Sequence, residues 1–186
     1  VTNKERFEEA MHPRHVALSL AGEPTLYPFM QALLQLLHEK KFTTFLVSNG
    51  TNPEALEKMI ETELAPTQLY LTIPAPDKKN YYKTCRPLIK DGWERINKSL
   101  ELLARMKTRT VTRLTMAKKI NMIQPKDYVP LIKKANPSFI EVKGFSPVYG
   151  RVIVSNIGSC FSPLWKRRSA NSQRASNGKV IPPKLT

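Results

Sequence analysis

Short apolar runs alternate along the chain with longer segments in which apolar residues recur at helical spacing. Five runs of five to seven residues are rich in β-branched or apolar side chains and are bounded by glycine, proline, asparagine or charged residues, a pattern that is typical of β-strands. The predicted strands are residues 15–20, 43–48, 68–73, 110–116 and 139–143.

Helices are predicted in the four gaps between these strands, because apolar residues there return every three or four positions. The second helix, over residues 53–60, is expected to begin at Pro53 with Asn52 as its N-cap residue. The apolar stripes of the other three are Phe29, Leu33, Leu36 and Leu37, then Trp93, Ile96, Leu100, Leu103 and Met106, then Tyr128, Leu131 and Ile132.

The order of these elements is β-α-β-α-β-α-β-α-β. Such alternation is typical of parallel strands that are joined by right-handed helical crossovers. Five strands are too few to close an eight-stranded barrel. The pattern therefore predicts an α/β fold, either a partial (β/α) barrel of parallel strands or an open α/β sheet.

The pattern changes after residue 144. Residues 151–154 could add one more strand, but residues 166–179 are polar, basic and aperiodic, and such a composition cannot bury a core. We therefore expect a folded domain over residues 1–144 and a divergent basic tail over residues 145–186 that is largely disordered. The tail either grips RNA phosphates or is a solvated end without a specific role.

Positive charge is the unusual feature of the composition, since 30 Lys and Arg against 15 Asp and Glu give a net charge of +15. Residues 64–144 carry 17 basic and 6 acidic side chains, and residues 145–186 carry 7 basic and no acidic ones. A field of this sign attracts polyanions, so nucleic acid is one expected partner. The alternative is that the positive charge forms a solvated basic surface without a dedicated partner. The sequence shows no membrane span and no secretory signal, so we expect a cytosolic protein.

Two strand ends carry candidate binding groups, because ligands of parallel α/β sheets lie beyond the carboxyl ends of the strands. After the first strand, Gly22 permits a close approach of the backbone and Glu23 offers a carboxylate to a ligand ammonium group, while Pro24 stiffens the turn. After the second strand, the Asn49–Gly50 turn offers a side-chain amide and backbone N–H groups. Both turns could also be ordinary strand-to-helix connections, with Glu23 favourably placed at a helix start.

Together these two turns resemble a known family. Glycine–glutamate–proline after the first strand and asparagine–glycine after the next are similar to segments of the radical S-adenosylmethionine (radical SAM) enzymes. Longer matches, in the same order, resemble the tRNA 4-demethylwyosine synthases. These matches are residues 19–28, 44–50, 66–70, 86–88 with Lys90, Asp91 and Trp93, then 109–111 with 113–115, and 139–144.

The resemblance implies an incomplete TIM-like radical SAM core, a partial (β/α)6 barrel. It implies a cofactor, S-adenosylmethionine, bound on a 4Fe–4S cluster and cleaved to a 5′-deoxyadenosyl radical. The implied substrate is N1-methylguanosine next to the anticodon of tRNA-Phe, with pyruvate as the carbon donor. The implied activity is that of a lyase-type, cytoplasmic, RNA-binding synthase of wyosine biosynthesis.

The resemblance also assigns roles to individual positions. Arg113 could instead only pair with Glu141 across neighbouring strands, and Lys143 could be a surface lysine. No catalytic residue and no metal ligand is assigned. The implied cofactor-binding residues are Gly22, Glu23, Pro24, Ser48, Asn49 and Thr72, and the implied substrate-binding residues are Arg113, Thr115 and Lys143.

Two features depart from the family pattern. The family ligates its cluster through a CxxxCxxC motif upstream of the first strand, whereas Cys85 and Cys160 are 75 residues apart. Pro74 stands where the family has an acidic residue, which leaves Thr72 as the cofactor contact on that strand.

We therefore expect the chain to correspond to the central part of such an enzyme and to be inactive by itself, because the cluster motif is absent. Two alternatives remain open. One is a catalytically inactive, truncated relative that only binds tRNA. The other is a basic α/β interaction domain whose resemblance to the family is accidental.

Overall fold

A computed structural model describes residues 3–20 and 22–145 of the chain. The strand predicted at residues 151–154 and the tail predicted to be disordered lie outside the described residues. The division of the chain at residue 144 therefore stays a prediction.

Five parallel strands form one sheet in the order β1-β2-β3-β4-β5, so each strand pairs with its neighbours in sequence. In the described part of the chain the sheet is not closed, because β1 does not pair with β5. The predicted α/β fold with a partial (β/α) barrel of parallel strands is thus confirmed. The strands are β1 (His15–Leu18), β2 (Thr43–Ser48), β3 (Gln68–Thr72), β4 (Arg109–Met116) and β5 (Phe139–Gly144).

The helices include the four that the apolar stripes predict and two that the pattern missed, α1 and α4. Helix α1 buries none of its residues and α4 is mostly polar, so neither has an apolar stripe. Side-chain caps begin both, since Asn3 Oδ1 accepts from Arg6 N at 3.1 Å and Asp77 Oδ1 from Asn80 N at 2.8 Å. The helices are α1 (Lys4–Ala10), α2 (Met30–Glu39), α3 (Pro53–Glu61), α4 (Lys78–Cys85), α5 (Gly92–Leu103) and α6 (Val129–Ala135).

The start of α3 differs from the prediction in one contact. The helix begins at Pro53 as expected, but Asn52 makes no side-chain cap hydrogen bond. Its amide nitrogen donates instead to the main-chain oxygen of Thr25 at 2.8 Å. The amide therefore ties the turn after β2 to the turn after β1.

The hydrophobic core lies between one face of the sheet and the helices. Alternation along the strands directs every second side chain into it. Because each buried leucine contributes ~1.5–3 kcal/mol relative to an exposed one, this layer supplies most of the stability of the sheet. Its fully buried members include Leu46, Leu69 and Leu71 from the strands and Leu34, Leu56, Ile96 and Leu100 from the helices.

The opposite side of the sheet, which we call the open face, carries the remaining strand side chains. Its buried apolar members Val47 and Val111 do not belong to the helix-side core. The composition of the open face changes along the strands, from apolar and aromatic in the middle to polar and charged at the carboxyl ends. The open face comprises His15, Ala17, Thr43, Phe45, Val47, Gln68, Tyr70, Thr72, Arg109, Val111, Arg113, Thr115, Phe139, Glu141 and Lys143.

A buried asparagine joins the strand ends of β3 and β4. Asn121 Nδ2 donates to the main-chain oxygens of Pro74 and Thr115, both at 2.9 Å, and Asn121 Oδ1 accepts from Ala117 N at 2.7 Å. The Tyr128 hydroxyl donates to the Asn121 main-chain oxygen at 2.7 Å. Because such buried polar groups need their partners, this cluster fixes the path of both loops.

Burial makes Tyr128 an indicator of this cluster. The loss of hydration, with smaller contributions from Asp77 and Asp127, raises the pKa of the Tyr128 hydroxyl from 10.0 to about 12. The protonated hydroxyl is therefore favoured in the folded state, and it is also the form that donates to Asn121.

No helix in the described part of the chain is long and apolar enough to cross a membrane.

We predict a loss of stability at alkaline pH that depends on Tyr128. The pKa of Tyr128 is raised on folding, so its contribution is fully present below pH 10 and is lost as the pH rises from 10.0 to about 12. Between pH 8 and pH 11 the free energy of unfolding should fall by about 1 kcal/mol less in Tyr128→Phe than in the wild type. Denaturant titration at the two pH values measures this difference, with Tyr27→Phe at an exposed tyrosine as the control. An identical fall in the wild type and Tyr128→Phe would contradict the prediction.

Candidate functional site

The turns after β1 and β2 meet at one carboxylate. Glu23 Oε2 accepts a hydrogen bond from Asn49 N at 2.7 Å. Glu23 Oε1 accepts from Thr25 N at 3.2 Å and from Thr25 Oγ1 at 2.7 Å. The two strand-end turns that the sequence singled out are therefore in direct contact, at the same edge of the sheet.

The local sequence explains how Glu23 reaches this place. Its backbone is extended and its side chain caps a short 3-10 turn, Pro24–Leu26, that begins with proline. Gly22 has a φ of +75°, a conformation that favours glycine, and a β-carbon at that position would meet nothing within 4 Å. The backbone at Gly22 is therefore bordered by open space in which a ligand could approach Glu23.

Among the described residues, the hydrogen bonds of Glu23 leave room for one more donor. An ionised carboxylate has about four acceptor positions, two on each oxygen. Thr25 occupies two on Oε1 and Asn49 occupies one on Oε2. A hydrogen bond from a cationic donor to the remaining position on Oε2 would be charge-assisted.

The turn after β2 is held from several sides. Asn49 Oδ1 accepts from Thr51 N at 2.9 Å and from Thr51 Oγ1 at 2.6 Å. Gly50 has a φ of +76°, and its main-chain oxygen accepts from Ser99 Oγ of α5 at 2.8 Å. Because these contacts fix the loop, the main-chain N–H of Asn49 is held in position to donate to Glu23.

Ser48 is placed differently from Asn49. Its side chain is buried, and its Oγ accepts from Gly50 N at 3.0 Å within the same turn. This contact gives Ser48 a structural place in the turn. A direct cofactor contact from its hydroxyl stays a prediction.

A row of polar residues crosses the open face next to this turn. Thr72 is aligned with Arg113, and Arg113 is aligned with Glu141. Ser48 is aligned with Leu71, so the residues that follow them, Asn49 and Thr72, continue this row toward β2.

Arg113 makes the cross-strand ion pair that the sequence left open as an alternative. Its Nε donates to Glu141 Oε2 at 2.5 Å. Its guanidinium carbon lies over the ring of Tyr70, 4.6 Å from the ring centre. Pairing and substrate binding are compatible, because the bond to Glu141 uses only Nε of the guanidinium group.

The other two predicted substrate residues lie one row further along. Thr115 and Lys143 are aligned on β4 and β5. Thr115 is buried and Lys143 is exposed, so only the lysine side chain reaches solvent. The structure thus places Thr72, Arg113, Thr115 and Lys143 on the open face, and it groups Gly22, Glu23, Pro24 and Asn49 at the adjacent strand ends.

Sequence reasoning missed three residues at this edge: Thr25, Tyr70 and Asn121. Thr25 and Asn121 lie in loops and act through several hydrogen bonds each, and loop residues have no periodicity that would reveal them. Tyr70 lies in a predicted strand, but its partner Arg113 is more than forty positions away in the sequence. Pro74, which departs from the family pattern, is buried and accepts from Asn121.

The described residues contain no group of three or more His, Cys, Asp or Glu side chains that could hold a metal ion. The polar groups that the described residues bring to this part of the sheet are a carboxylate, a guanidinium group, the Lys143 ammonium group, hydroxyl groups and backbone amides.

Comparison with known proteins relates this geometry to a family. Residues 3–132 match the family model described as the radical SAM superfamily. The S-adenosyl-L-methionine-dependent tRNA 4-demethylwyosine synthase of Pyrococcus abyssi is 49% identical over 160 residues, which cover 84% of this chain and 47% of that protein. The chain thus spans about half the length of this curated relative.

Two solved structures are similar to the chain. "Crystal structure of archaeal TYW1" aligns with a TM-score of 0.65 and 39% identity, covering 75% of this chain and 46% of that one. "Structure of TYW1 with a lysine-pyruvate adduct bound" aligns with a TM-score of 0.72 and 33% identity, covering 98% of this chain and 57% of that one. The chain therefore belongs to the radical SAM superfamily, and its predicted resemblance to the tRNA 4-demethylwyosine synthases is confirmed.

Proposed function

We propose that the chain is the part of a radical SAM tRNA-modifying synthase that binds the cofactor's amino acid end and the substrate base. The reaction is the lyase-type formation of 4-demethylwyosine from N1-methylguanosine next to the anticodon of tRNA-Phe, with pyruvate as carbon donor. The names of the relatives support the tRNA product, and the lysine–pyruvate adduct named for one similar structure supports pyruvate. The protein would act in the cytoplasm as an RNA-binding enzyme.

One observation carries the proposal: Glu23 and Asn49 are joined at the strand ends by a 2.7 Å hydrogen bond. The fourth acceptor position of Glu23 suits the ammonium group of S-adenosylmethionine, and the open space at Gly22 gives access to it. Pro24 holds the backbone of Glu23 in an extended conformation. The amide of Asn49 and the hydroxyl of Thr72 would line the same side of the cofactor site.

The described residues fit S-adenosylmethionine better than they fit an iron–sulfur cluster, because no group of metal ligands occurs among them. We assign none of them to the cluster. When bound and reduced, the cofactor supplies the radical chemistry of the family. The residues of this chain bind and orient it: Glu23 holds its amino group, and Asn49 keeps Glu23 in place.

The substrate residues lie on the neighbouring part of the open face. Arg113, Thr115 and Lys143 would contact the tRNA nucleoside or the carbon donor. Arg113 is partly buried and held by Glu141, whereas Lys143 is exposed at the end of β5 and free to reach a phosphate. In the part of the chain that the structure describes, Lys143 forms no ion pair.

Six basic side chains that follow β3 and β4, beside this face, suit an RNA substrate. Four lie between β3 and α5, in α4 or in the connection after it, and two lie directly after β4. None of them forms an ion pair with another described residue, whereas Lys78, Lys98, Lys107 and Lys134 all do. Unpaired cations are the ones that can neutralise phosphates. The six side chains are Lys79, Lys83, Arg86, Lys90, Lys118 and Lys119.

We predict that Glu23→Ala weakens S-adenosylmethionine binding about 10- to 100-fold, because the ammonium group loses a charged hydrogen-bond acceptor. Isothermal titration calorimetry of the full chain with S-adenosylmethionine measures the effect. Glu63→Ala, which removes the same charge from an exposed pair with Lys107, should leave the affinity unchanged.

An unchanged affinity in a folded Glu23→Ala protein would refute the cofactor role of Glu23. A wild-type chain that binds tRNA but no S-adenosylmethionine would favour the alternative function, a catalytically inactive relative that only binds tRNA.

We predict that tRNA affinity falls about tenfold or more between 50 and 200 mM salt, because binding releases counterions from the phosphates. The double variant Lys118→Ala/Lys119→Ala should show weaker binding and a shallower salt slope. The control Lys98→Ala/Lys107→Ala removes two cations that are already paired. Fluorescence anisotropy with labelled tRNA-Phe measures all three. Equal slopes in the two double variants would show that Lys118 and Lys119 do not contact the phosphates.

A further inference from the structure

Arg113 is the only described side chain of the open face that combines an ion pair with an aromatic contact on a second strand. Its Nε is bound to Glu141, and its guanidinium carbon lies over the ring of Tyr70. Phe45 in turn packs edge-on against Tyr70, with the ring centres 4.7 Å apart. Side chains from β5 and β3 therefore contact the Arg113 guanidinium group directly, and Phe45 from β2 supports the Tyr70 ring.

The terminal nitrogens of Arg113 remain available. Among the described residues, none accepts a hydrogen bond from Nη1 or Nη2 of Arg113. The side chain is only 19% exposed, and Glu141 is 38% exposed. Because polar groups that are largely buried are normally satisfied, two terminal nitrogens without an acceptor among the described residues indicate a ligand with two acceptors.

We propose that Tyr70 and Glu141 are positioning residues that fix Arg113 as a reader of the O6 and N7 acceptors of a guanine base on the open face. This inference rests on the proposed function, since it takes the guanine from the N1-methylguanosine substrate. Arginine donates to O6 and N7 of guanine in a two-bond geometry that adenine, with an amino group at that edge, does not match.

The surroundings favour a base over a small anion. Glu141 neutralises the guanidinium charge, and its carboxylate would repel a second carboxylate beside it. Tyr70, Phe45 and the buried Val47 give the open face an apolar floor, which suits a flat aromatic ring.

This mode of recognition also suits the proposed chemistry. The O6 and N7 atoms form one edge of guanine, whereas the methyl group of N1-methylguanosine projects from a neighbouring edge. Arg113 would therefore hold the base while it leaves the methyl group uncovered toward the strand ends, where Glu23 lies.

The experiment compares two RNA hairpins of the tRNA-Phe anticodon arm that differ in one atom of the target base. One contains N1-methylguanosine and the other contains N1-methyl-7-deazaguanosine, which lacks the N7 acceptor. Fluorescence anisotropy with the full chain gives both dissociation constants at one salt concentration. We expect the wild type to prefer the first hairpin by roughly tenfold.

Single substitutions then test which residues cause the preference for the hairpin with N1-methylguanosine. Arg113→Ala, Tyr70→Leu and Glu141→Ala should each reduce the ratio of the two constants to about one. Tyr70→Phe, which keeps the ring, and Glu141→Gln, which keeps an oxygen acceptor, should restore it. Lys107→Ala removes the same charge as Arg113→Ala from an exposed pair with Glu63 and should keep the ratio.

Three results would overturn the inference. The preference could survive in Arg113→Ala, or the wild type could bind both hairpins tightly and equally. Arg113→Ala could also lose affinity for pyruvate or S-adenosylmethionine while the hairpin ratio is unchanged, which would give Arg113 a carboxylate ligand instead. Failure of the wild type to bind either hairpin would refute the tRNA substrate of the proposed function itself, and this inference with it.

Discussion

The candidate site depends on one hydrogen bond between neighbouring strand ends, from the Asn49 amide to the Glu23 carboxylate. Parallel strands bring their carboxyl ends to one edge but do not set the distance between the loops that follow. The carboxylate sets it here, because its second oxygen is bound by Thr25 in its own turn. One side chain thus sets the relative position of the two turns and presents the negative charge that the proposed cofactor amine requires.

Side-chain hydrogen bonds join neighbouring loops or strands at three further places in the sheet. Asn52 ties the turn after β2 to Thr25, Asn121 ties the loop after β4 to Pro74, and Arg113 ties β4 to Glu141 on β5. Over the described residues 3–20 and 22–145 the sheet is open, so no closed ring of strands within them supports these loops. Hydrogen bonds between loops therefore supply the rigidity that a binding edge needs.

The fold and part of the site could be predicted from the sequence. Strand–helix alternation predicts the parallel sheet, and the turns at Gly22–Glu23 and Asn49–Gly50 predict the edge with the binding groups. Helix α4 could not be predicted, because a cap at Asp77 begins it and no apolar stripe marks it. Asn121 and Tyr70 were missed because their roles arise from partners distant in sequence, Pro74 and Arg113. The hydrophobic pattern indicates which positions are buried, but it does not indicate which buried polar groups contact one another.

The most direct test of this account is the exchange rate of one backbone amide. Hydrogen exchange followed by two-dimensional NMR gives the protection of the Asn49 amide in the wild type and in Glu23→Ala. If the carboxylate joins the two turns, the Asn49 amide is protected in the wild type. Its exchange should then accelerate roughly tenfold or more in the variant, while the Leu71 amide in β3 stays as it was. Equal Asn49 exchange in the two proteins would contradict the account, since the turns would then keep their positions without Glu23.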